Sequence, residues 1–349
     1  MKARVRRLLL VLAAAALLLD GGLLLAGRLG AASLPEEDTA YFLDVGEGDC
    51  TLLVSGGSTV LVDAGTPEGA PALVRELKSL GVRRLDAVIA THPHADHIGG
   101  MEEVLRAFPV RSFYMSAETQ SDGLDAALRR RRLTPLVPYD GETLTLKGGA
   151  SLTFLGPAED IPADQINDRS LITLFQTGSA SVLLMGDAEE PAEQSLLRHH
   201  PGLRCDILKV GHHGSDTSSS PAFLSALGAQ TAIISCGTDN DYGHPTEAAL
   251  NRLSACGIPV YRTDLLGEII AVSDGKIVTI TSASNEAPLA SDAASQTTGS
   301  YGYVGNSSSK VVHLASCGKL PGESNRVYFA SLDEALAAGY RKHANCLGN

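Results

Sequence analysis

The stretch THPHADHIGG, residues 91–100, concentrates four side chains of types that bind metal ions. His92, His94, Asp96 and His97 lie within six residues, directly after an apolar run typical of a buried strand. Their spacing lets His92 and His94 approach one ion from a loop, whereas Asp96 and His97 face a second position nearby. Neutral imidazoles and carboxylates are ligands that suit zinc and manganese. The stretch therefore predicts a metal site at the end of a strand.

Later loops carry the remaining candidate ligands. Asp187, the pair His212 and His213, and then His244 each follow an apolar run of the strand type. By themselves, Asp187 is also typical of an ordinary Gly-Asp turn, and the histidine pair is typical of a solvated loop. However, six of the ten histidines lie in loops of this kind, and this favours one shared site over scattered surface positions.

Composition and charge narrow the function classes. The chain has 349 residues, of which 44% are hydrophobic and 19% are charged, as in globular proteins. Tryptophan is absent and aromatic residues make up 5%, so an aromatic platform that stacks nucleic-acid bases is not expected. The net charge is −12; residues 1–34 carry +4, and the remainder therefore carries −16. Such a surface repels polyanions at long range, so a nucleic-acid substrate requires a local basic path or metal ions.

The N-terminal residues 1–33 are typical of a targeting segment. Basic residues precede the apolar run 8–19, Asp20 interrupts, and a second apolar run covers residues 23–27. The first run is shorter than the roughly 20 residues that span a bilayer, so it suits a signal peptide. An uncleaved membrane anchor is the alternative. Both predict a secreted or membrane-anchored, extracytoplasmic protein.

The order of the predicted elements indicates the fold class. Strands dominate the first part of residues 38–280, and strands alternate with helices in the second part. This order predicts a layered α/β domain with two mixed sheets and helices outside. Residues 281–300 are rich in Ser, Ala and Thr and predict a flexible linker. Residues 301–349 then form a small separate unit.

Eight stretches resemble, in order, the metallo-β-lactamase superfamily, and within it the hydrolase domain of ComEC-type competence proteins. They are FLDVGEGD (42–49), LVDAG (61–65), THPHADHIGG (91–100), NDRSLITL (167–174), LLMGD (183–187), LKVGHHGS (208–215), YGHP (242–245) and YRTDLLGEI (261–269). The resemblance covers about residues 40–275. It implies an αββα sandwich with a dinuclear metal site, zinc or manganese, between the two sheets.

The resemblance also implies a role for each matching residue. His92 and His94 would hold the first metal, Asp96 and His97 the second, and Asp187 would bridge them. The remaining roles follow in chain order: Asp63 would support the cluster without binding a metal, His212 would be the alternative ligand or a substrate contact, His213 would complete the second metal, and His244 would lie near the substrate. The candidate catalytic residues are Asp96, His212 and His244.

This chain departs from the family pattern at two places. Many members have a third first-metal histidine between the THPHADHIGG stretch and the bridging aspartate, but here no histidine lies between residues 98 and 198. Asn167 or Asp168 stands there instead and is the candidate ligand. Glu47 also stands where the family usually has Gln.

The predicted reaction is hydrolysis of a phosphodiester. Two cations about 3.5–4 Å apart activate a bridging water and clamp phosphoryl oxygens, and an imidazole such as His244 stabilises charge or protonates the leaving group. By analogy with the family, DNA is the expected substrate, in competence or DNA uptake. The alternatives are a diester or ester on the cell surface and a non-catalytic binding protein.

The C-terminal unit contains a second pattern of metal ligands. His313 and Cys317, then His343 and Cys346, have the spacing of a closed tetrahedral zinc site. The stretches YVGN (303–306), NRVYFAS (325–331) and DEALAAGY (333–340) resemble the metal-binding domain of Ada-type DNA-repair proteins. That family usually has Cys where His343 stands. The resemblance implies a structural zinc; the alternative is a small αβ module in which these side chains only pack.

Overall fold

The computed structural model describes residues 33–178, 180–238, 240–274, 278–284, 303–314, 319–322, 325–329, 332–343 and 346. Residues 1–32 of the predicted targeting segment and residues 285–300 of the predicted linker lie outside this range. No helix within the described residues is both long enough and apolar enough to cross a membrane.

The described residues of the large domain form strands and helices in the following order. The strands are β1 Asp38–Phe42, β2 Thr51–Ser55, β3 Ser58–Val62, β4 Leu85–Ala90, β5 Val110–Met115, β6 Thr143–Thr145, β7 Ser151–Phe154, β8 Thr173–Gln176, β9 Ser181–Leu184, β10 Ile207–Lys209, β11 Thr231–Ile234, β12 Val260–Arg262, β13 Ile269–Ser273 and β14 Val278–Ser282. The helices are α1 Ala70–Ser79, α2 Ala95–Ile98, α3 Met101–Ala107, α4 Asp122–Arg131, α5 Glu190–His199, α6 Pro221–Leu227, α7 Glu247–Ala255 and α8 Thr263–Leu266.

Two seven-stranded sheets form the centre of this domain. The first has the order β14-β13-β1-β2-β3-β4-β5, and the second has the order β12-β11-β10-β9-β8-β7-β6. In the first sheet, β3, β4 and β5 are parallel; in the second, β9 to β12 are parallel. The predicted αββα sandwich is confirmed.

Alternation along the strands explains why two sheets and two helix layers pack together. On β2, Leu53 faces a core shared with strands of the second sheet, whereas Leu52 faces the helix side. On β10, Ile207 and Leu208 divide in the same way between the inter-sheet core and the helix layer of the second sheet. Each fully buried aliphatic side chain contributes roughly 1.5–3 kcal/mol, so both faces of each sheet favour being covered.

Helix α1 shows how the outer layer is built. It begins with Pro71 in its first turn, where a missing N–H costs nothing. Its buried residues recur at helical spacing, and they are Ala70, Leu73, Val74 and Leu77. This apolar stripe packs into the same core as the helix side of the first sheet.

The C-terminal unit has a sheet of its own. Its elements are β15 Tyr303–Asn306, β16 Val311–Leu314, β17 Arg326–Phe329, β18 Arg341–Lys342 and α9 Leu332–Ala337. The sheet order is β17-β15-β16-β18, and its core contains Val312, Phe329, Ala335 and Tyr340. In the large domain, β14 continues to Ser282, two residues past the predicted end of the domain at residue 280. It does so because Val278 and Ile280 pack against the inter-sheet core.

Candidate metal centre

The loop after β4 is held tightly against the loop after β3. His94 precedes helix α2, and His97 lies within it. The Ala64 N–H donates to the His97 carbonyl oxygen at 2.8 Å. Gly100 allows the close approach, because a Cβ there would lie 2.1 Å from the Ala64 carbonyl oxygen. The backbone of both loops therefore fixes where the candidate ligands point.

Asp96, His97, Asp187 and His213 form what is called here the second donor group. The Nε2 atom of His97 lies 3.1 Å from Asp187 Oδ1 and 3.3 Å from His213 Nε2. His213 Nε2 lies 3.2 Å from Asp96 Oδ2. Three of the four residues are almost fully buried, so few water molecules solvate these atoms.

Hydrogen bonds on the far side of each ring orient the two imidazoles of this group. His97 Nδ1–H donates to Asp63 Oδ2 at 2.7 Å, and His213 Nδ1–H donates to the Ser235 carbonyl oxygen at 2.9 Å. Because a carboxylate and a carbonyl group can only accept here, each ring carries its hydrogen on Nδ1. Nε2 of both rings is left to bind a proton or a metal ion.

His92, His94 and Asp187 form the first donor group. His92 Nε2 lies 3.1 Å from His94 Nδ1 and 3.4 Å from Asp187 Oδ2. His92 Nδ1 lies 3.1 Å from the Thr91 hydroxyl, which donates its own proton to Asp63 at 2.7 Å. Asp63 therefore orients one histidine of each group, directly for His97 and through Thr91 for His92.

Asp187 belongs to both groups and is the centre of their electrostatics. Burial by itself raises the pKa of this carboxyl, but the imidazoles of His97 and His213 hold that pKa well below its usual range. Conversely, burial lowers the pKa of His213, but Asp187 and Asp96 raise it to about 9. Protons on the imidazoles thus compensate the carboxylates, and a divalent cation that binds has to displace them.

The donor set fits two divalent cations. Nitrogen and carboxylate oxygen atoms converge at 3.1–3.7 Å from one another in the second group. Asp187 presents Oδ1 to the second group and Oδ2 to the first. Atoms of this kind repel one another unless a proton or cation lies among them, and their types suit zinc or manganese.

Neither Asn167 nor Asp168 lies in either donor group within the described residues. Asp168 Oδ1 instead accepts hydrogen bonds from the Glu189 and Ala192 N–H groups at the beginning of α5. Asn167 Nδ2 donates to Glu189 Oε1 at 3.1 Å. The beginning of a helix offers unpaired N–H groups that attract a carboxylate, and this explains why Asp168 points there. The position of a third first-group histidine is therefore not filled by either residue.

His212 lies at the edge of the site. Its Nδ1 donates to Glu189 Oε1 at 2.8 Å, which leaves Nε2 facing Asp187 Oδ2 at 3.9 Å. His212 is outside both donor groups, and its side chain is 24% exposed. This placement suits a substrate contact better than a metal ligand. Its backbone has a φ of +48°, a conformation that the surrounding contacts have to maintain.

His244 lies next to His212 and His213. Its ring centroid is 5.3 Å from that of His212 and 6.4 Å from that of His213. Asn240 holds its backbone, because the His244 N–H donates to Asn240 Oδ1 at 2.9 Å. Burial and the two neighbouring imidazoles lower the pKa of His244, so the ring is neutral at neutral pH.

The C-terminal unit brings three of its four predicted ligands together. The rings of His313 and His343 stack at 4.0 Å, and His343 Nδ1 lies 3.2 Å from Cys346 Sγ. These three residues form a third group of possible metal ligands. Cys317, the fourth predicted ligand, lies outside the described residues.

The sequence reasoning missed Glu189, Thr91 and Ser170. Ser170 Oγ accepts from the Asp187 N–H at 3.1 Å and lies 3.4 Å from His92 Nδ1. Thr91 and Ser170 belong to stretches already noted for their resemblance, so their positions were a usable signal. Glu189 lies two residues after Asp187, and nothing in the local pattern separates it from the other acidic residues that begin helix α5.

A comparison with family models supports what the geometry indicates. Residues 43–238 match the model described as the metallo-beta-lactamase superfamily. This chain belongs to the metallo-β-lactamase superfamily. The superfamily includes metal-dependent hydrolases.

Two curated bacterial proteins and one bacterial structure illustrate what this chain is similar to. The chain is 34% identical over 252 residues to competence protein ComA of Neisseria gonorrhoeae, covering 71% of this chain and 34% of ComA. It is 32% identical over 258 residues to ComE operon protein 3 of Bacillus subtilis, covering 68% of this chain and 33% of that protein. The resemblance to ComEC-type proteins is confirmed, and the chain spans about one third of the length of these relatives. The metallo-β-lactamase fold protein YhfI of Bacillus subtilis is 14% identical with a TM-score of 0.45, over 70% of this chain and 100% of YhfI.

Proposed function

We propose that this protein is an exported, metal-dependent phosphodiesterase that cleaves DNA. The observation that carries the proposal is the carboxylate of Asp187, which presents one oxygen to each of two donor groups. A bridging carboxylate between two His/Asp groups is the arrangement expected for a pair of divalent ions, zinc or manganese. When bound, such a pair supplies an activated hydroxide and a clamp for phosphoryl oxygens.

The protein's own residues have separate tasks in this proposal. Asp63 and the Ser235 carbonyl group hold the imidazoles with Nε2 inward. Asp96 belongs to the second donor group and is 27% exposed, so it faces both the ion and the solvent side where substrate enters. His212 and His244 lie beyond the donor groups on that side, where they contact the phosphodiester and the leaving oxygen.

DNA as the substrate rests on the relatives. Two of them are named as a competence protein and a ComE operon protein. Export rests on the apolar N-terminal run and its basic residues. If residues 1–33 remain attached, the cytoplasmic membrane is a partner.

A second candidate function is hydrolysis of a diester or ester that is not part of a long polyanionic chain, such as one on the cell surface. It is favoured by an open cavity of about 450 Å³ beside the site. Asp44, Glu47 and Asp241 line this cavity together with Tyr242. Three carboxyl groups disfavour a second phosphate there.

The C-terminal unit is proposed to hold a structural zinc. His313, His343 and Cys346 supply nitrogen and sulfur atoms within reach of one ion. A small unit of this size gains much of its stability from such an ion.

Metal analysis and hydrolysis assays on the purified full chain test these proposals together. Asp187→Asn keeps the shape of the side chain and removes the bridging charge, and Asp164→Asn is the matched control at an exposed carboxylate. We expect two ions per large domain and metal-stimulated cleavage of DNA and bis-p-nitrophenyl phosphate. Asp187→Asn should lose both the ions and the cleavage, and Asp164→Asn should keep them. Cleavage of the small diester without cleavage of DNA favours the second candidate. Equal cleavage by both variants contradicts the proposed function.

A further inference from the structure

Lys209 occupies a position where an apolar residue is expected. It ends β10 in the middle of the second sheet, in register with Leu184 on one side and Ile233 on the other. Both neighbours face the core between the sheets, and alternation along β10 places Lys209 on the same side as Ile207. Lys209 is 2% exposed. Lysine is almost never this deeply buried unless it is paired.

The partner of Lys209 comes from the opposite sheet. Lys209 Nζ donates to Asp49 Oδ2 at 2.8 Å and to its neighbouring Val210 carbonyl oxygen at 3.1 Å. Asp49 is 5% exposed and lies two residues before β2 of the first sheet. The ion pair therefore crosses from one sheet to the other within the part of the sandwich that carries the donor groups.

Each end of this ion pair is attached to backbone that carries a member of the second donor group. The Asp49 N–H donates to the Asp96 carbonyl oxygen at 3.1 Å. Gly48 makes that approach possible, because its φ is +113° and a Cβ would lie 2.1 Å from the Asp96 carbonyl oxygen. On the other side, Val210 is three residues before His213. The connection thus runs from Asp96 to Asp49, across the ion pair, and on to His213.

A buried ion pair is a weak way to hold two sheets together. The desolvation of both charges offsets their attraction, and apolar residues of similar volume often stabilise a protein as well or better. We propose that Lys209 and Asp49 are positioning residues that set the spacing between the Asp96 and His213 sides of the second donor group. The inference rests on the proposed function in one respect, namely that this group binds a metal ion.

The test compares two matched pairs of substitutions in the full chain. The double variant Lys209→Met with Asp49→Asn removes both charges, so no unpaired charge stays buried. Asp49→Glu keeps both charges and lengthens the link by one methylene. The control double variant Arg198→Met with Asp160→Asn removes an exposed ion pair of 2.7 Å that includes no member of either donor group. Binding of Mn²⁺ is measured by stepwise calorimetric titration, and folding is measured by thermal unfolding of the metal-free proteins.

We expect the Lys209/Asp49 double variant and Asp49→Glu to bind Mn²⁺ at the second donor group about tenfold more weakly, with Mn²⁺ binding at the first donor group unchanged. The control variant should match the wild type at both steps. Equal affinity for the second ion in all proteins overturns the inference, and so does equal weakening of both ions. If wild-type protein binds neither Mn²⁺ nor Zn²⁺ at either donor group, the proposed function and the inference both fail. If both donor groups bind metal normally and none of the substitutions changes that binding, the inference is refuted but the proposed function is not.

Discussion

Asp63→Asn is the substitution that tests the metal centre without removing a ligand. Asp63 is 1% exposed and accepts from the Thr91 N–H at 2.9 Å, the Thr91 hydroxyl at 2.7 Å and His97 Nδ1–H at 2.7 Å. Its φ is +59°, a conformation that Asp and Asn adopt more readily than other residues. The substitution therefore changes charge and hydrogen bonding with little backbone strain.

The expected magnitude follows from these three hydrogen bonds. Oδ1 of Asp63 accepts from the Thr91 N–H, and Oδ2 accepts from both the Thr91 hydroxyl and His97 Nδ1–H, so the NH₂ group of the introduced amide has to face either the Thr91 N–H or the other two donors together. Loss of a hydrogen bond to a charged group costs about 1.5–3 kcal/mol, and 1.4 kcal/mol is a factor of ten in affinity. We expect about 10–100-fold weaker binding of the second ion, in the range seen for such supporting residues. The first ion should change less, because His92 reaches Asp63 only through Thr91.

Stepwise titration with Mn²⁺ measures both affinities, and Asp164→Asn provides the control for removal of an exposed carboxylate. Thermal unfolding of the metal-free proteins separates a loss of binding from a loss of folding. If the second ion binds to folded Asp63→Asn within twofold of the wild-type affinity, Asp63 does not orient His97, and the reasoning from its hydrogen bonds is refuted.

Three further outcomes follow from the structure. Glu189→Gln removes the charge that orients His212, so kcat should fall about tenfold with metal content unchanged; an unchanged kcat contradicts this. Chelation with EDTA should lower the melting temperature by about 5–10 °C at metal concentrations near 100 Kd, measured by calorimetry, and a shift of the same size in Asp187→Asn argues against the site. Burial raises the pKa of Glu193 to about 7, so the folded state binds this proton more tightly than the unfolded state. Stability should therefore fall as pH rises from about 5 to 7, by up to about 3 kcal/mol, and Glu193→Gln should remove that slope in denaturant unfolding; equal slopes in both proteins refute it.

The candidate ligands could be predicted because they lie in the loops that follow apolar strands. Parallel strands of one sheet end at the same edge, so Asp187 after β9 and His213 after β10 are expected to lie near each other. The four residues of the THPHADHIGG stretch are local to one loop, and their spacing alone indicates two groups. The layered fold followed from the order of strands and helices.

Other features depended on contacts that no local pattern reveals. Asp168 stands where a ligand was expected, but the N–H groups that begin α5 attract its carboxylate. Glu189 acquires its role only because His212 folds against it. Lys209, a charge inside an apolar strand, was a visible anomaly in the sequence, but its partner lies 160 positions away.

The sequence by itself indicated the superfamily through the resemblance of its motifs, and it indicated the layered two-sheet fold and the types of the candidate ligands through strand periodicity and the loops that follow the strands. Only the tertiary structure decided which atoms face each other: that Asp187 presents one oxygen to each donor group, that Asp63 supports both, and that Lys209 and Asp49 connect the sheets. The physical reason is that hydrogen bonds and ion pairs depend on distances of about 3 Å between residues far apart in the chain. Such distances are set only when both sheets pack.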